Sequence, residues 1–418
     1  MSAFDRIIGY DSIKSEMLEI LDILKNPEIY TRLGASLPSG IVLDGDPGLG
    51  KTLLATSFME ESGVPGYTLR RNKETKEFIA EMNRVFGEAE NNAPSIILLD
   101  DMDKFAPEKH NSEEFAVLQS LIDSVKGKNV FIIATVNDTD NMPDSLIRAG
   151  RFDRYILLFR PTREDGEKIV RYYVGKKPIA EDVNMDDTSK MLAGKTCAEL
   201  DSVINFAAIS AAHDRCDRIE MRHLVEATLR EAYGVTDRCE RLSPKEREEI
   251  AYHEAGHAVI SDVIKEGSVG LVSICSSPAA ERGGFMLRCL DFDRRPHEIL
   301  ISLGGKAASE LKYGKVASGT ISDLLKASNH INKSIRRIGT YGLSNVCLGS
   351  ESPLLQSRGE IVAAAELERF LFKAKEIIAE NREFLDKLAA ELCEKGTLLN
   401  SDVARIRATC TITPAVIG

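Results

Sequence analysis

The sequence predicts an α/β module, a parallel sheet with helices on both faces, that carries a small helical segment and is followed by a mainly α-helical domain. Three observations predict it. Strand-sized apolar runs at Gly40–Leu43, Ser95–Leu99 and Val130–Val136 alternate with helix-length segments, the pattern of a parallel sheet covered by helices. From Arg163 to Glu231 the spacing is helical. A mostly polar stretch, Gly234–Ser243, then separates this part from a second helical region. The expected divisions are 1–162, 163–234 and 235–418.

The elements follow in order. Ser12–Leu24 has helical periodicity. Gly40–Leu43 is a short apolar strand that runs into a glycine-rich loop, and Leu53–Met59 continues as a helix. Ser95–Leu99 and Val130–Val136 are further strands, and Tyr155–Phe159 is another. Glu199–His213 and Met221–Ala232 are amphipathic helices. Pro244–Ile264 opens the second region as a helix. Val269–Arg288 is extended, with an interruption at Gly283–Gly284. Pro296–Tyr313, Ser322–Ile338 and Ile361–Lys395 are expected as single helices.

Composition narrows the class. The 418 residues are 43% hydrophobic and 28% charged, ordinary for a soluble globular chain and enough for more than one core. A net charge of −11 argues against a general nucleic-acid binder, so no nucleic-acid partner is expected. No run approaches the roughly 18 apolar residues of a membrane span, and the N-terminus lacks a signal peptide. The eight cysteines show no paired CxxC spacing and are expected as reduced thiols in a cytoplasmic protein.

The sharpest early signal is Gly45-Asp46-Pro47-Gly48-Leu49-Gly50-Lys51-Thr52, followed by Leu53. It matches G-x-x-x-x-G-K-[ST] and lies between a strand and a helix. There the glycines let backbone N–H groups wrap phosphates. Lys51 supplies a cation to the β- and γ-phosphates, and the Thr52 hydroxyl is placed to ligate Mg²⁺. Further on, Ile96–Leu99 ends in Asp100-Asp101. An acid pair at the end of such a strand lies where nucleotide binds. Asp100 is expected to hold Mg²⁺ through water, and Asp101 to orient or deprotonate the attacking water. Asn137 ends the strand Val130–Val136, within reach of a γ-phosphate or the attacking water. Gly150-Arg151-Phe152-Asp153-Arg154 offers two arginines suited to stabilising a transferring phosphoryl group.

The second strong signal is His253-Glu254-Ala255-Gly256-His257. Four-residue spacing on a helix puts both imidazoles on one face. This is the H-E-x-x-H arrangement, in which two histidines bind Zn²⁺ and the glutamate acts as general base. The apolar flank Ala258-Val259-Ile260 suits a buried helix. A catalytic zinc site takes a third protein ligand, and spacing alone leaves Glu281, Glu310 and Asp323 open.

The order GDPGLGKT, IILLDDMDK, TVND, PDSLIRAGRFDR resembles that of the AAA+ ATPases. The resemblance implies that Arg151 and Arg154 act across a subunit boundary, in a ring that is most often a homo-hexamer. Gly194–Leu200, which includes Ala198, resembles the family's lid segment near the nucleotide. Ile8-Gly9 resembles its adenine-contacting stretch. An AAA+ module followed by H-E-A-G-H is similar to the FtsH-type ATP-dependent zinc metalloproteases, from Phe4 to the C-terminal helices. Leu303-Gly304-Gly305-Lys306-Ala307-Ala308-Ser309-Glu310 resembles that family's G-G-R-x-A-E-E helix. Ser318–Leu324 resembles the segment that carries its aspartate ligand, so the resemblance makes Asp323 the third ligand. It implies Zn²⁺ and ATP or ADP with Mg²⁺ as cofactors and proteins as substrates.

Four departures from the family stand out. The N-terminal transmembrane helices usual in the family have no counterpart in this chain. Asp101 stands where the family has Glu, one methylene longer, so slower hydrolysis is expected. Glu74-Thr75-Lys76 stands at the substrate-gripping pore loop, without its aromatic. The nearby Phe78 would supply an aromatic if the loop were shifted, but it reads first as a core position of the following helix. Lys195 and Cys197 replace an aromatic and a glycine of the lid segment. The expected function is an ATP-driven zinc protease. The alternatives are an AAA+ remodeller with weak or absent proteolysis and an ATP-independent peptidase.

Overall fold

The computed structural model describes residues 2–35, 37–105, 113–139, 146, 151–235, 242–276, 283–290, 295–315, 320–335 and 353–417, with side chains from 359 onward in the last segment. Two units are distinguished. One holds Met1–Ile169 with Gly194–Leu200, and the other holds Val170–Ala193 with Asp201–Gly418.

The first unit is built on a parallel sheet. After α1 (Asp11–Lys25) and α2 (Pro27–Thr31) come β1 (Gly40–Asp44), α3 (Lys51–Ser62), β2 (Gly66–Arg70), α4 (Thr75–Asn91), β3 (Ser95–Asp100), α5 (Glu113–Ser124), β4 (Val130–Val136) and β5 (Arg154–Leu157). The strand order is β2-β3-β4-β1-β5, with every pairing parallel. The apolar runs are buried on both faces because successive side chains alternate. Ile96 and Leu98 enter a core shared with α1 and α3, whereas Ile97 and Leu99 enter one shared with α4 and α5. Parallel strands also align their C-terminal ends. The loops after β1, β3 and β4 therefore open on one edge of the sheet.

Strand β2 carries no apolar run, because it is an outer strand on which only Leu69 is buried. That is why hydrophobic pattern alone does not find it. At the expected pore loop, α4 begins at Thr75. Phe78 is fully buried, edge-on to Phe105 at 5.0 Å, as expected of a core position. Arg71 lies against the Phe78 ring and donates to Glu114 Oε1 at 2.8 Å and to Thr75 Oγ1 at 3.1 Å.

Helix α6 (Arg163–Val174) leads toward the second unit, which contains α7 (Met185–Met191). Helix α8 (Cys197–His213) and α9 (Met221–Ala227) follow, and α9 continues as a wider helical turn, Thr228–Ala232. Helix α10 (Pro244–Ile264) starts at a capping box. Ser243 Oγ accepts from Glu246 N while Glu246 Oε2 accepts from Ser243 N, and Pro244 fills the first turn. Ala251–Val263 are buried without a break. Around them pack β6 (Val269–Ser273), β7 (Phe285–Arg288), α11 (Arg295–Tyr313), α12 (Thr320–Lys333), α13 (Pro353–Glu380), α14 (Arg382–Lys395), β8 (Thr397–Leu399) and α15 (Asn400–Arg407). Strands β7, β6 and β8 form an antiparallel sheet with β6 in the centre.

The single helix expected over Ile361–Lys395 is corrected to two, broken at Asn381. Asn381 is buried and leaves helical geometry. Its amide donates to the carbonyls of Ile377 and Thr413 and accepts from Thr413 N, which fastens the C-terminal segment. The expectation of thiols throughout is corrected at Cys275, which is disulfide-bonded. Among the described residues, no helix is long and apolar enough to cross a membrane.

Helix α7 is fastened to the antiparallel sheet and to α15. Asp187, 2% exposed, accepts from Ser401 N at 2.9 Å and from Ser401 Oγ at 2.5 Å. Lys190 Nζ donates to Asn400 Oδ1 at 2.7 Å, and Asn400 Nδ2 donates to Val269 O at 2.7 Å. A Cβ on Gly270 of β6 would stand 2.5 Å from the Lys190 carbonyl oxygen, so only glycine allows this approach.

Asp262, at the end of α10, is buried against Arg407 at 2.7 Å, and burial pushes its carboxyl above the usual range. Arg407→Ala leaves that charge unpaired and is expected to cost about 3–5 kcal/mol, read as a lower denaturation midpoint. A folded-state pKa above the unfolded one means stability falls as pH rises between the two. The Arg407→Ala deficit is therefore expected to shrink as the pH is lowered.

Candidate nucleotide and metal centres

The first centre lies at the C-terminal edge of the parallel sheet. The loop after β1 turns through Gly48 and Gly50, both in the left-handed region (φ +83° and +92°), which costs a glycine little. A Cβ on Gly48 would also stand 2.9 Å from Ala198 Cβ, and Ala198 N donates to Gly48 O at 3.1 Å. The segment Gly194–Leu200 thus reaches the loop. Arg160 reinforces it by donating to Asp46 Oδ2 and Gly194 O, each at 3.0 Å. Lys51 is buried and curls back to donate to Gly45 O at 2.6 Å and Asp46 O at 2.8 Å, and burial lowers its pKa. Leu49 is buried and Leu53 is exposed. Pro47 stands in the loop, and Ile8 is half-buried beside Gly9. A Cβ on Gly9 would stand within 2.6 Å of the Asp165 side chain.

Thr52 Oγ1 donates to Asp100 Oδ1 at 2.8 Å, so the hydroxyl and carboxylate that would share a magnesium ion already meet. Thr135 donates to the same oxygen at 2.9 Å, and its hydroxyl accepts from Asp101 N at 2.8 Å. Asn137 Nδ2 donates to Asp101 Oδ1 at 3.0 Å. Lys104 and Arg70 donate to Asp101 Oδ2 at 2.9 and 3.2 Å. Burial alone would raise the Asp101 pKa, but its bonds from Lys104, Asn137 and Arg70 hold it below the usual range. Arg151 makes a two-pronged pair with Asp123 at 2.9 and 2.8 Å, while Arg154 is exposed at the start of β5. Most of the segment from Pro143 to Gly150 lies outside the described residues.

The second centre lies where α10, α11 and α12 meet. His253 and His257 are one turn apart on α10, and Asp323 comes from the first turn of α12. All three are buried. Asp323 Oδ2 is 3.1 Å from His253 Nε2 and 3.1 Å from His257 Nε2, and the two nitrogens are 3.3 Å apart. A tetrahedral zinc ion with bonds of about 2.0–2.1 Å has ligand–ligand edges of about 3.3 Å, so this triangle fits the metal. His257 Nδ1 donates to Ile301 O at 2.6 Å, which leaves Nε2 as the lone-pair donor. Asp323 is kept well below its usual pKa by His257 and the bonds of both imidazoles, against the effect of burial.

Glycines set this crossing. Cβ atoms on Gly256 and Gly304 would strike the facing helix, at 2.6 Å from Ala308 Cβ and from Gly256 O respectively. A Cβ on Gly305 would stand 2.5 Å from His257 Nε2 and 2.6 Å from His253 Nε2. Of the other acids the spacing left open, Glu310 pairs with Lys306 and Lys375, and Glu281 lies outside the described residues. Glu254 is buried, and burial pushes its carboxyl up to about 7. It lines a cavity of about 670 Å³ together with the metal-site triad, Ile250, Tyr233 and the outer strand β7.

Thr135, Arg70 and Arg160 escape sequence reasoning. Thr135 is the one polar residue in Val130–Val136, and that is the signal that was available.

A phosphate-binding loop with an acid pair, joined in one chain to a buried His-His-Asp triad, defines an ATPase coupled to a zinc metallopeptidase. Comparison with known proteins agrees. Residues 41–160 match the ATPase family associated with various cellular activities (AAA), and residues 240–406 match peptidase family M41. The chain is 31% identical over 96% of its length to the ATP-dependent zinc metalloprotease FtsH of Caldicellulosiruptor bescii, of which it covers 71%. It is 32% identical over 96% of its length to FtsH of Thermotoga maritima, covering 72% of that protein. The match to FtsH of Bacillus subtilis is 30% over 94% of the chain, covering 68% of that protein. The chain belongs to the FtsH family of ATP-dependent zinc metalloproteases.

Proposed function

We propose that this chain assembles into a homo-hexameric ring in the cytoplasm, drives protein substrates through it by ATP hydrolysis, and cleaves them at the zinc centre. The proposed domains are the large nucleotide-binding subdomain 1–162, the lid 163–234 and the peptidase 235–418. The observation that carries the reading is the convergence of His253, His257 and Asp323 beside buried Glu254.

His253, His257 and Asp323 would hold zinc, which supplies a Lewis acid at the scissile carbonyl. Glu254 takes the proton of the attacking water and delivers it to the leaving amine nitrogen. Strand β7, the outer of the three described strands of its sheet, lines the cavity and is placed to pair with an extended peptide. Lys51 and the loop glycines bind the phosphates, Thr52 and Asp100 would hold magnesium, and Asn137 and Asp101 orient the attacking water. Arg151 and Arg154 reach a neighbouring subunit's nucleotide, which requires Arg151 to leave Asp123.

Degradation of casein by the zinc-loaded chain, with and without ATP, tests the reading. Loss of casein that requires ATP is expected. Cleavage indifferent to ATP and unchanged in Lys51→Ala would reduce the ATPase to an assembly role. Burial of Phe78 favours a second reading, a remodeller with weak proteolysis, because Glu74-Thr75-Lys76 offers no aromatic grip. That reading predicts ATP turnover with casein intact.

A further inference from the structure

Three walls of the cleavage cavity run from its chemistry to one charged end. A Cβ on Gly284, just before β7, would stand 2.7 Å from Glu254 Cγ. Arg288 closes β7, about 13 Å further along an extended chain. On α11, Gly305 lies beside His253 and His257, and Glu298 precedes it by about two turns, or about 10 Å. On α12, His330 follows Asp323 by about the same two turns on the same face. The walls meet where Arg288 Nη1 lies 2.6 Å from Glu298 Oε1. Arg288, Glu298 and His330 all line the cavity.

Positive charge prevails there. Burial lowers the pKa of His330, and the cations Lys333, Arg288 and Arg295 lower it further, against the single acid Glu298. The other carboxylates of the lining are accounted for elsewhere. Glu249 pairs with Lys315 at 3.0 Å, and Glu246 closes the cap of α10. Glu254 and Asp323 belong to the cleavage centre, with Lys326 at 3.5 Å from Asp323 Oδ1. A cleft whose end carries one sign of charge draws the opposite sign toward it.

We propose that Arg288, with the cations around it, forms a subsite for an acidic side chain of the substrate, about four residues from the cleaved bond on one side. The inference rests on the reading of this cavity as the peptidase site. A peptide paired along β7 keeps step with the strand, residue for residue. The part of the peptide opposite Gly284 lies at Glu254, where the bond is cut, and the part opposite Arg288 lies at the charged end. A carboxylate carried there gains from the net positive charge, whereas an amide of the same shape does not. Glu298 orients the Arg288 guanidinium and also tempers its pull, so the two residues act on the substrate's charge with opposite sign.

The test is a set of short fluorogenic peptides cut by the zinc-loaded full chain, with the cleaved bond located by mass spectrometry. A single Glu is moved stepwise along an otherwise neutral sequence on both sides of that bond, and Gln takes its place in the matched controls. The ratio of kcat/KM for Glu over Gln is read at each position. It is expected to peak several-fold above unity at about four residues from the bond, on one side only. Arg288→Gln should bring the peak down to unity, and Glu298→Gln should raise it. Both substitutions break the same ion pair, so a merely structural role would move them in the same direction. Each ratio is taken within one enzyme, so partial loss of folding cancels. Absence of the peak at that distance, its survival in Arg288→Gln, or an equal fall in Glu298→Gln overturns the proposal. A parent chain that cuts all the peptides equally overturns the subsite alone, whereas one that cuts none overturns the peptidase reading as well.

Discussion

Glu254→Gln is expected to remove peptide cleavage while leaving zinc in place. The substitution keeps size and shape, and Glu254 belongs to none of the three ligand positions, which converge without it. What is lost is a carboxylate able to take a proton from water and return it to the amine, a role commonly worth 10²–10⁴-fold, to order of magnitude. Casein degradation should therefore drop by about that factor, with metal analysis still returning the parent's zinc content. Cleavage at the parent's rate would assign the base elsewhere. The pH profile adds a sign. Burial lifts the Glu254 carboxyl to about 7, whereas a neighbouring dication favours the charged form and pulls it back. The acid limb of the parent's pH–rate profile is expected below that value, and the Gln variant should lack it.

Gly305→Ala is the second large effect. In an ordinary helix this change helps by roughly 0.5–1 kcal/mol, because alanine loses less backbone freedom. Here the new methyl would stand 2.5 Å from His253 Cε1 and from His257 Nε2. It would occupy the space beside the two nitrogens that face the metal, so the imidazoles must turn away or the helices part. Loss of zinc and of cleavage is expected together, measured by metal analysis and casein degradation. ATP binding, which belongs to the other unit, serves as the control for folding. Retention of full zinc in Gly305→Ala would mean that α10 and α11 separate without cost.

The parts legible in the sequence are those whose chemistry lies within one short segment. The loop from Gly45 to Thr52 and the helix from His253 to His257 carry their geometry in their spacing, because a strand-to-helix turn and a single helical turn are local objects. Asp323 lies 70 positions from His253, and spacing says nothing at that range; only resemblance singles it out. Strand β2 was hidden because an outer strand buries one residue in five. The break at Asn381 was hidden because its cause is a partner 32 positions away, Thr413. Arg70 reads in sequence as one of many surface cations and acquires meaning only from Asp101, 31 positions away. Gly305 was visible as part of a motif, but its necessity lies in two imidazoles on another helix.

The fastening of α7 has a mechanical consequence. Its carboxylate Asp187 is held by the backbone and hydroxyl of Ser401, its Lys190 by Asn400, and its main chain lies directly on Gly270. Gly270 belongs to β6, whose other neighbour along the sheet is β7, the strand that borders the cleavage cavity. No side chain stands between them: a carbonyl meets a bare α-carbon, and Gly270 is the position at which the β6–β7 register shifts. A shift of α7 would therefore meet the sheet that borders the catalytic cleft main chain to main chain, at the one irregular position of its β6–β7 ladder.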